Sequence, residues 1–574
     1  MRVRDRALVS GFQDYSDNHY RRGRSIIADD FDGDGRVDYF VGNPADESIV
    51  FRNLGLRDGV VKFGPALVLL EGDLAFVASG SDYDNDGDLD LFVGCGGREG
   101  ACFDFLFRND STPGHISFTD VSIQAGIRGP APEGFPLGLP TAGGTWGDYD
   151  LDGDQDLFVS VNGREYRKVL WANNGDGTFT DATSLTHLDG DDSPDGEPTP
   201  LDRFYFQNST WIDVDNDGDL DLFVNNAWGP NFLWKNLLVE QGQALFVEAT
   251  SDFSLPGEDL HYPVSSFASA VADFNNDGWQ DLMLFASSSV GANGNGLYLN
   301  HRGQGFWNAA SMAGVNTENG ETVDAMGCQV ADLNGDGIPD LAIGTGVPGI
   351  GKKNRLLLSE RMTGATPLFA DASHLIDFEA SHGIDPTLPP DPEIPPYPYR
   401  THGIVAADFD GDGRLDLGMV NGGKAADPAI VREPNRLFDF AGQGFARTFR
   451  VRLEGNGISD SRDAIGSRAY VEIKGPEGLR RVFQTVLGGS GFSSQNERTL
   501  TFGLGSDRVS RLAILWSSGC MQVLETHTGT TISPLVVAQR CWTCPEAPGP
   551  VEAWLDPESY GCSRPSAAVT SAEQ

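Results

Sequence analysis

The stretch DYDNDGDLDLFVG, residues 82–94, places aspartates at positions 1, 3, 5, 7 and 9 and then runs directly into an apolar segment. Like charge at that density repels itself unless a cation or a ring of donors offsets it. The same string recurs: DFDGDGRVD from Asp30, DYDLDGDQD from Asp148, DVDNDGDLD from Asp213, DFNNDGWQD from Asp273, DLNGDGIPD from Asp332 and DFDGDGRLD from Asp408. All seven obey D-x-[DN]-x-D-G-x-x-D, at intervals of roughly 50 to 75 residues, which is the signature of a repeated supersecondary unit.

Hard cations such as Ca²⁺ take six to eight oxygens, and side chains at loop positions 1, 3, 5 and 9 with the carbonyl at position 7 can supply them. The glycine at position 6 permits the bend that turns those oxygens inward. The candidate metal set is therefore Asp30, Asp32, Asp34, Arg36 and Asp38; Asp82, Asp84, Asp86, Asp88 and Asp90; Asp148, Asp150, Asp152, Asp154 and Asp156; and Asp213, Asp215, Asp217, Asp219 and Asp221. The remaining loops add Asp273, Asn275, Asp277, Trp279 and Asp281; Asp332, Asn334, Asp336, Ile338 and Asp340; and Asp408, Asp410, Asp412, Arg414 and Asp416. The seventh residue of each loop enters through its carbonyl, and up to seven Ca²⁺ are expected.

An EF-hand needs a bidentate Glu at position 12 and a helix on each side. Here position 12 is Val41, Val93, Val159, Val224, Leu284, Ile343 or Met419. The segments after the loops, such as VDYFVG, LDLFVG and QDLFVS, read as short buried strands. Further strand-like runs follow in each unit: FLFRND, KVLWANN, NFLWKN, GLYLN, NRLLLS or NRLFDF, then aromatic starts such as FTDVS at Phe118, FTDAT at Phe179 and FVEAT at Phe246. About four strands per unit is the content of a propeller blade. The fold class expected is all-β: a seven-bladed β-propeller followed by a small antiparallel β domain.

These repeats resemble the FG-GAP/VCBS type of integrin α-subunit propellers and bacterial surface proteins over residues 12 to 445. The resemblance implies calcium at one rim and ligand recognition on the opposite face. The final blade needs one strand from either Phe12 or Phe445. From Phe449 the text changes, and AIGSRAYV, GGSGFSSQ, FGLG and LWSSG resemble the ASPIC/UnbV domain, with Thr501 and Ser517 departing from the family pattern. Propeller repeats followed by this domain resemble the layout of the cartilage acidic protein family, which implies an extracellular calcium-binding protein. The expected organisation is an N-terminal extension (1–11), the propeller (12–448), the ASPIC/UnbV domain (449–527) and a flexible Cys-containing tail (528–574).

The net charge of −42 argues against nucleic acid or anionic membrane as partner, because a phosphate surface would be repelled. No run approaches the ~18 apolar residues of a membrane span, and the first residues lack the apolar core of a secretory signal. The seven cysteines include Cys95 and Cys102, which can close a small loop, and Cys541, Cys544 and Cys562 near the end. Cys328 and Cys520 read as small core residues. No nucleophile elbow, zinc-protease motif or P-loop is present. His374 and His382 lie at the edge of an insertion, and His402 reads as a structural blade residue. Two acidic, Pro-rich insertions, 187–203 and 376–400, with Tyr397 and Tyr399 in the second, are candidate surfaces for a carbohydrate or protein ligand. The function expected is a monomeric extracellular or cell-surface binding and scaffold protein; an enzyme or biosynthetic accessory protein built on the propeller is the alternative.

Overall fold

The computed structural model describes residues 4–12, 24–43, 47–71, 75–96, 103–128, 139–162, 168–189, 206–261, 266–286, 294–318, 321–322, 325–345, 354–363, 366–375, 401–421, 435–440, 447–476, 478–525 and 533–540. The second and third strands of each repeat belong to antiparallel meanders of four strands, of which the described residues contain seven; six stand alone as four-stranded sheets, and the first is extended to five by the parallel strand Ser494–Gln495. The acid at loop position 9 opens the second strand in every one: Asp38–Gly42, Asp90–Cys95, Asp156–Val161, Asp221–Asn226, Asp281–Ala286, Asp340–Gly344 and Asp416–Asn421. These strands are buried along their length, with no alternation of polar residues, because each sheet is covered on both faces by its neighbours.

The first strands, beginning at Ser25, Ala75, Thr141, Phe206, Ser266, Gly327 and Thr401, neighbour one another in that order, and the last returns to the first. They surround a central channel. Asparagines at the end of the third strand stitch adjacent blades. Asn109 donates from Nδ2 to the Phe31 carbonyl of the previous blade at 2.9 Å and to the Leu89 carbonyl of its own loop at 3.1 Å. Asn53, Asn173, Asn236 and Asn300 do the same to the carbonyls of Phe409, Tyr83, Tyr149 and Val214. The Asn53 bond joins the first blade to the last.

Ring closure differs from the sequence expectation. The fourth strand of the last blade is Arg4–Asp5, paired antiparallel with Phe438 and Asp439, so residues 4–5 belong to the propeller and not to an extension. Phe12 starts no strand. It packs against Tyr39 at 4.4 Å between ring centres and edge-on to Phe63 and Phe409, in the seam between the first and last blades. The segment aligns with blade two such that Arg4-Asp5 matches Thr119-Asp120 and Gly11-Phe12 matches Gly126-Ile127, and both glycines have positive φ. Phe12 is thus the residue after the turn and not the strand start. Residue 445 lies outside the described residues, and the strand that follows, Arg447–Glu454, joins the second domain.

That domain holds two sheets. One orders Leu500–Gly505, Arg447–Glu454 and Leu535–Ala538; the other orders Gly478–Thr485, Arg468–Gly475, Arg508–Leu515 and Met521–Glu525. Two expectations change here. Val451 to Glu454 pair in parallel with Leu535 to Ala538, so the domain is not wholly antiparallel, and it takes in residues assigned to the tail. A continuous apolar cluster runs from Phe92, Trp146 and Leu157 of the propeller to Ile465, Val471, Phe502 and Trp516, so the two parts share a core. Cys520 is disulfide-bonded, not a free core thiol, and Cys95 is disulfide-bonded too. Cys328 is the free cysteine among the described residues and is buried.

Candidate cation loops and the domain that covers them

Each acidic loop folds on its own aspartates. In the third loop the amides of Asp152 and Gly153 donate to the two carboxylate oxygens of Asp148, both at 3.0 Å, and the Asp154 amide donates to Asp152 Oδ1 at 3.0 Å. The fourth and seventh loops repeat this around Asp213 and Asp408. Position 6 has positive φ in all seven loops, from +85° at Gly35 to +108° at Gly87, as the bend requires. Position 4 does as well, and there the residues are glycine, asparagine or, once, Leu151 at +58°. The position-9 acid ties the loop to the sheet. Asp90 accepts the Tyr83 amide on one oxygen at 3.1 Å and the Asn109 amide on the other at 2.7 Å, and Asp38, Asp156, Asp221, Asp281 and Asp340 do likewise.

In four of the loops three of the predicted acids lie within reach of one another. Ligand-capable oxygens gather among Asp30, Asp32 and Asp38, among Asp82, Asp84 and Asp86, among Asp148, Asp150 and Asp156, and among Asp213, Asp215 and Asp217. A further trio, Asp217, Asp219 and Glu240, lies beside the fourth loop, and Glu240 sits outside the D-x-D spacing. Burial pushes the position-9 acids upward, Asp38 to about 8, and neighbouring carboxylates add to it. Among position-1 acids, burial and then Asp463 raise Asp82 to about 8, and burial raises Asp332 to about 7. Asp150 is raised to about 6 by burial and then by Asp152.

The donor set fits a hard cation. Asp82 is fully buried and its Oδ1 has no partner; Asp84 Oδ1 and Asp150 Oδ1 are also buried and unpartnered. An unpaired buried carboxylate oxygen is costly unless something positive meets it; Asp215 Oδ1 and Asp219 Oδ1 of the fourth loop are in the same condition, and all five belong to the three loops with five aspartates each.

The second domain sits on this same rim and touches every loop or its edge. Arg498 meets Asp29 at 2.8 Å and Asp463 accepts the Asp82 amide at 2.9 Å. Gln155 donates to Ser461 at 2.7 Å, Arg468 to Asp213 at 2.7 Å and Gln280 to Thr485 at 2.9 Å. The Gly503 amide donates to Asp332 at 2.9 Å and Arg450 to Asp408 at 2.6 Å. Burial alone would raise Asp29, but Arg498 and Arg452 outweigh it and hold the carboxyl well below its usual range.

The GGSGFSSQ segment and the residues after it fill the channel. Ser494 and Gln495 pair in parallel with Ile26 and Ile27. The Trp146 amide donates to the Gly488 carbonyl, Asn208 to the Gly491 carbonyl, and Gln329 to Ser490. Gln495 exchanges two bonds with the Gly80 backbone, and Asn496 and Glu497 accept the Ala406 and Asp408 amides. Six of the seven blades contribute. Sequence spacing alone gave no sign of this, because every one of these partners is remote along the chain. His402 is buried, its ring 6.1 Å from Phe492 in this segment, in keeping with a structural residue. Residues 190–205 and 376–400, with His382, Tyr397 and Tyr399, lie outside the described residues, as do Cys102, Cys541, Cys544 and Cys562.

A ring of four-stranded sheets whose rim carries aspartate loops is the architecture of an FG-GAP propeller, and the family models agree. Residues 30–93, 148–224, 213–284 and 273–343 match the FG-GAP-like repeat, and residues 457–536 match the ASPIC and UnbV domain. The chain therefore carries FG-GAP-like repeats followed by an ASPIC and UnbV domain. It is homologous to cartilage acidic protein 1: 28% identical to the mouse protein over 312 residues and 27% to the human protein over 321. Those alignments cover 52% and 55% of this chain but only 40% and 42% of the relatives. Human integrin alpha-6 is 33% identical over 86 residues, 14% of this chain and 8% of the integrin. The crystal structure of BBS1N in complex with ARL6DN overlaps 75% of this chain and 97% of its own at a TM-score of 0.37 and 8% identity, too loose to inform the fold. The seventh loop lies outside the matched repeats yet has the same hydrogen bonds. No helix among the described residues is long and apolar enough to cross a membrane.

Proposed function

We propose that this chain is a calcium-stabilised extracellular or cell-surface binding protein whose recognition surface is the propeller face opposite the loops. The buried, unpaired Asp82 oxygen within a five-aspartate loop carries the calcium part of this reading. The residues that would hold each ion are the side chains at positions 1, 3, 5 and 9 and the carbonyl at position 7, from Asp30 through Asp416 as enumerated above. Bound calcium supplies charge compensation and fixes the loops, and the chain's own residues do the rest.

Topology supports the choice of face. An antiparallel meander sets the first-to-second and third-to-fourth connections at one end of a blade and the others at the opposite end. The second domain covers the loop end, which leaves the opposite end for a ligand. Both acidic insertions leave a fourth strand there, after Asp181 and after Asp371.

The alternative, an enzyme using the channel, receives less support. Polar side chains from several blades do converge on the channel, but Asn208 and Gln329 spend their bonds on residues 490 and 491. Extracellular placement is supported by the relatives and by disulfide bonding at Cys95 and Cys520, since such bonds persist in oxidising compartments. Submicromolar cytosolic calcium would leave weak loops empty. The ligand is a carbohydrate or a protein, and the chain acts as a monomer.

The test is binding of calcium-loaded protein to a broad glycan array and to extracellular matrix proteins, with and without EDTA. Saturable binding lost in EDTA supports the reading. A thermal melt that EDTA leaves unchanged, in protein found to contain no metal, removes its calcium part.

A further inference from the structure

The seven loops share a formula but not an electrostatic environment: at position 7 Arg36 and Arg414 pair with Asp34 and Asp412 of their own loops, and a second difference lies at the third-strand residue that precedes the stitching asparagine in the first five blades. In the register of the blades, the residue paired with the second strand is Phe51, Phe107, Trp171, Trp234, Tyr298, Leu357 or, in the last blade, Phe438, which is followed by the acid Asp439. In the first six blades the next residue is therefore Arg52, Arg108, Ala172, Lys235, Leu299 or Leu358.

At two of these places the side chain reaches into its own loop. Arg52 lays Nε 2.5 Å from Asp32 and Nη2 2.5 Å from Asp34, which are positions 3 and 5 of the first loop. Lys235 contacts Asp215 and stands 3.5 Å from Asp217, the same two positions of the fourth loop, and 2.5 Å from Glu240. Neither is a loose surface pair: side-chain exposure is 20% for Arg52 and 13% for Lys235. Arg108 holds the matching place in blade two but turns to Asp110 at 2.9 Å, leaving Asp84 Oδ1 unpartnered. Ala172, Leu299 and Leu358 offer no charge. In the first loop none of the carboxylate oxygens of Asp32 or Asp34 is among the buried unpartnered atoms; the second and third loops have three, and in the fourth, where Lys235 takes Asp215 Oδ2, Asp215 Oδ1 and Asp219 Oδ1 remain.

We propose that Arg52 and Lys235 act as tethered counter-cations that stand where the divalent ion would bind, so that the first and fourth loops take calcium much more weakly than the second and third. This rests on the calcium reading given above and deepens it. A covalently attached cation competes with a free ion at a high effective concentration, and calcium affinity follows the net number of charged ligands. The two loops are thereby held in shape without metal. The structural cost of losing calcium falls on the loops that lack a substitute.

The experiment measures bound calcium per chain and its affinities by equilibrium dialysis and titration calorimetry. It compares the full chain with Arg52→Leu, Lys235→Leu and Arg108→Leu; leucine is the residue that blades five and six already use at this place. Each of the first two variants is expected to gain one tight site, or to tighten one weak site at least tenfold, and to show a larger calcium-induced rise in Tm. Arg108→Leu is expected to change neither. Arg52→Gln and Lys235→Gln serve as milder replacements if leucine impairs folding. Full, uniform loading of the unaltered chain, with stoichiometry and affinity unchanged in both variants, would overturn the inference while leaving the calcium reading intact. Absence of bound calcium in every protein would remove both.

Discussion

Arg468 of the ASPIC and UnbV domain donates to Asp213, the first aspartate of the fourth loop, across 2.7 Å, and both side chains are almost fully buried. The same guanidinium also donates to Asn216, three residues further along the loop. One side chain thus fixes the loop's entry and its left-handed turn from outside the propeller.

Replacing Arg468 with methionine strands the Asp213 carboxylate in a buried site. Removing one partner of a buried pair costs about 3–5 kcal/mol. The expected outcome is separation of a single thermal transition into two, the lower one belonging to the undocked domain, as read by differential scanning calorimetry. A single transition at unchanged Tm would show that Arg468 does not hold the domain down.

Gly491 supports a second prediction about docking. Its φ is +60°, and a Cβ there would lie 2.1 Å from the Cys328 carbonyl oxygen. Gly491→Ala is expected to push residues 488–497 out of the channel. Cys328 is the reporter, because burial raises its thiol pKa and keeps it inert. Its labelling by a thiol reagent under native conditions should rise at least tenfold in the variant and stay slow in the unaltered protein.

Leu151 occupies the left-handed position that glycine or asparagine fills in the other six loops. A leucine held there costs roughly 1–2 kcal/mol relative to glycine, while asparagine tolerates it through local hydrogen bonding. Leu151→Asn should therefore stabilise the protein by about 1 kcal/mol in urea unfolding.

The loop acids set the pH dependence. Without calcium, burial raises Asp38 and Asp82 to about 8 and Asp332 and Asp408 to about 7, against 3.8 for an ordinary aspartate. The folded state then holds more protons than the unfolded one between about pH 4 and 8, so stability must fall as pH rises through that window. In EDTA the Tm should be higher at pH 5 than at pH 8. With saturating calcium the ligating carboxylates are held ionised, protons compete with the metal, and the order should reverse. A Tm independent of pH in EDTA would count against buried, protonated loop acids.

Much of this was legible in the sequence because the loops are local. Spacing in D-x-[DN]-x-D-G-x-x-D shows the turn, the acid that begins the second strand and the glycine that must bend. The closing strand was not legible. Arg4-Asp5 lacks the leading phenylalanine of Phe118 and Phe179, and Phe12 imitated a strand start while filling the place of Ile127. The channel segment was not legible either, since Gly488 through Glu497 reads as a polar loop until the ring that receives it exists. Arg108 and Lys235 stand in the runs quoted for the third strands, and Arg52 in the matching run SIVFRN of the first unit, but only the structure shows that Arg52 and Lys235 face the acids and that Arg108 does not.

The pairing of Arg4 and Asp5 with Phe438 and Asp439 also fixes an order of assembly. Arg6 and Asp439, joined at 3.2 Å, are 433 positions apart. During synthesis the first blade is complete long before blade seven exists, and until then Arg4 and Asp5 have no strand to pair with and the ring stays open. The clasp that finishes the ring joins a strand made before the first blade to one made after the sixth, and the channel is filled only by residues made later still. Until blade seven is made the ring is an unfinished circle, and unpaired strand edges of that kind are where aggregation starts.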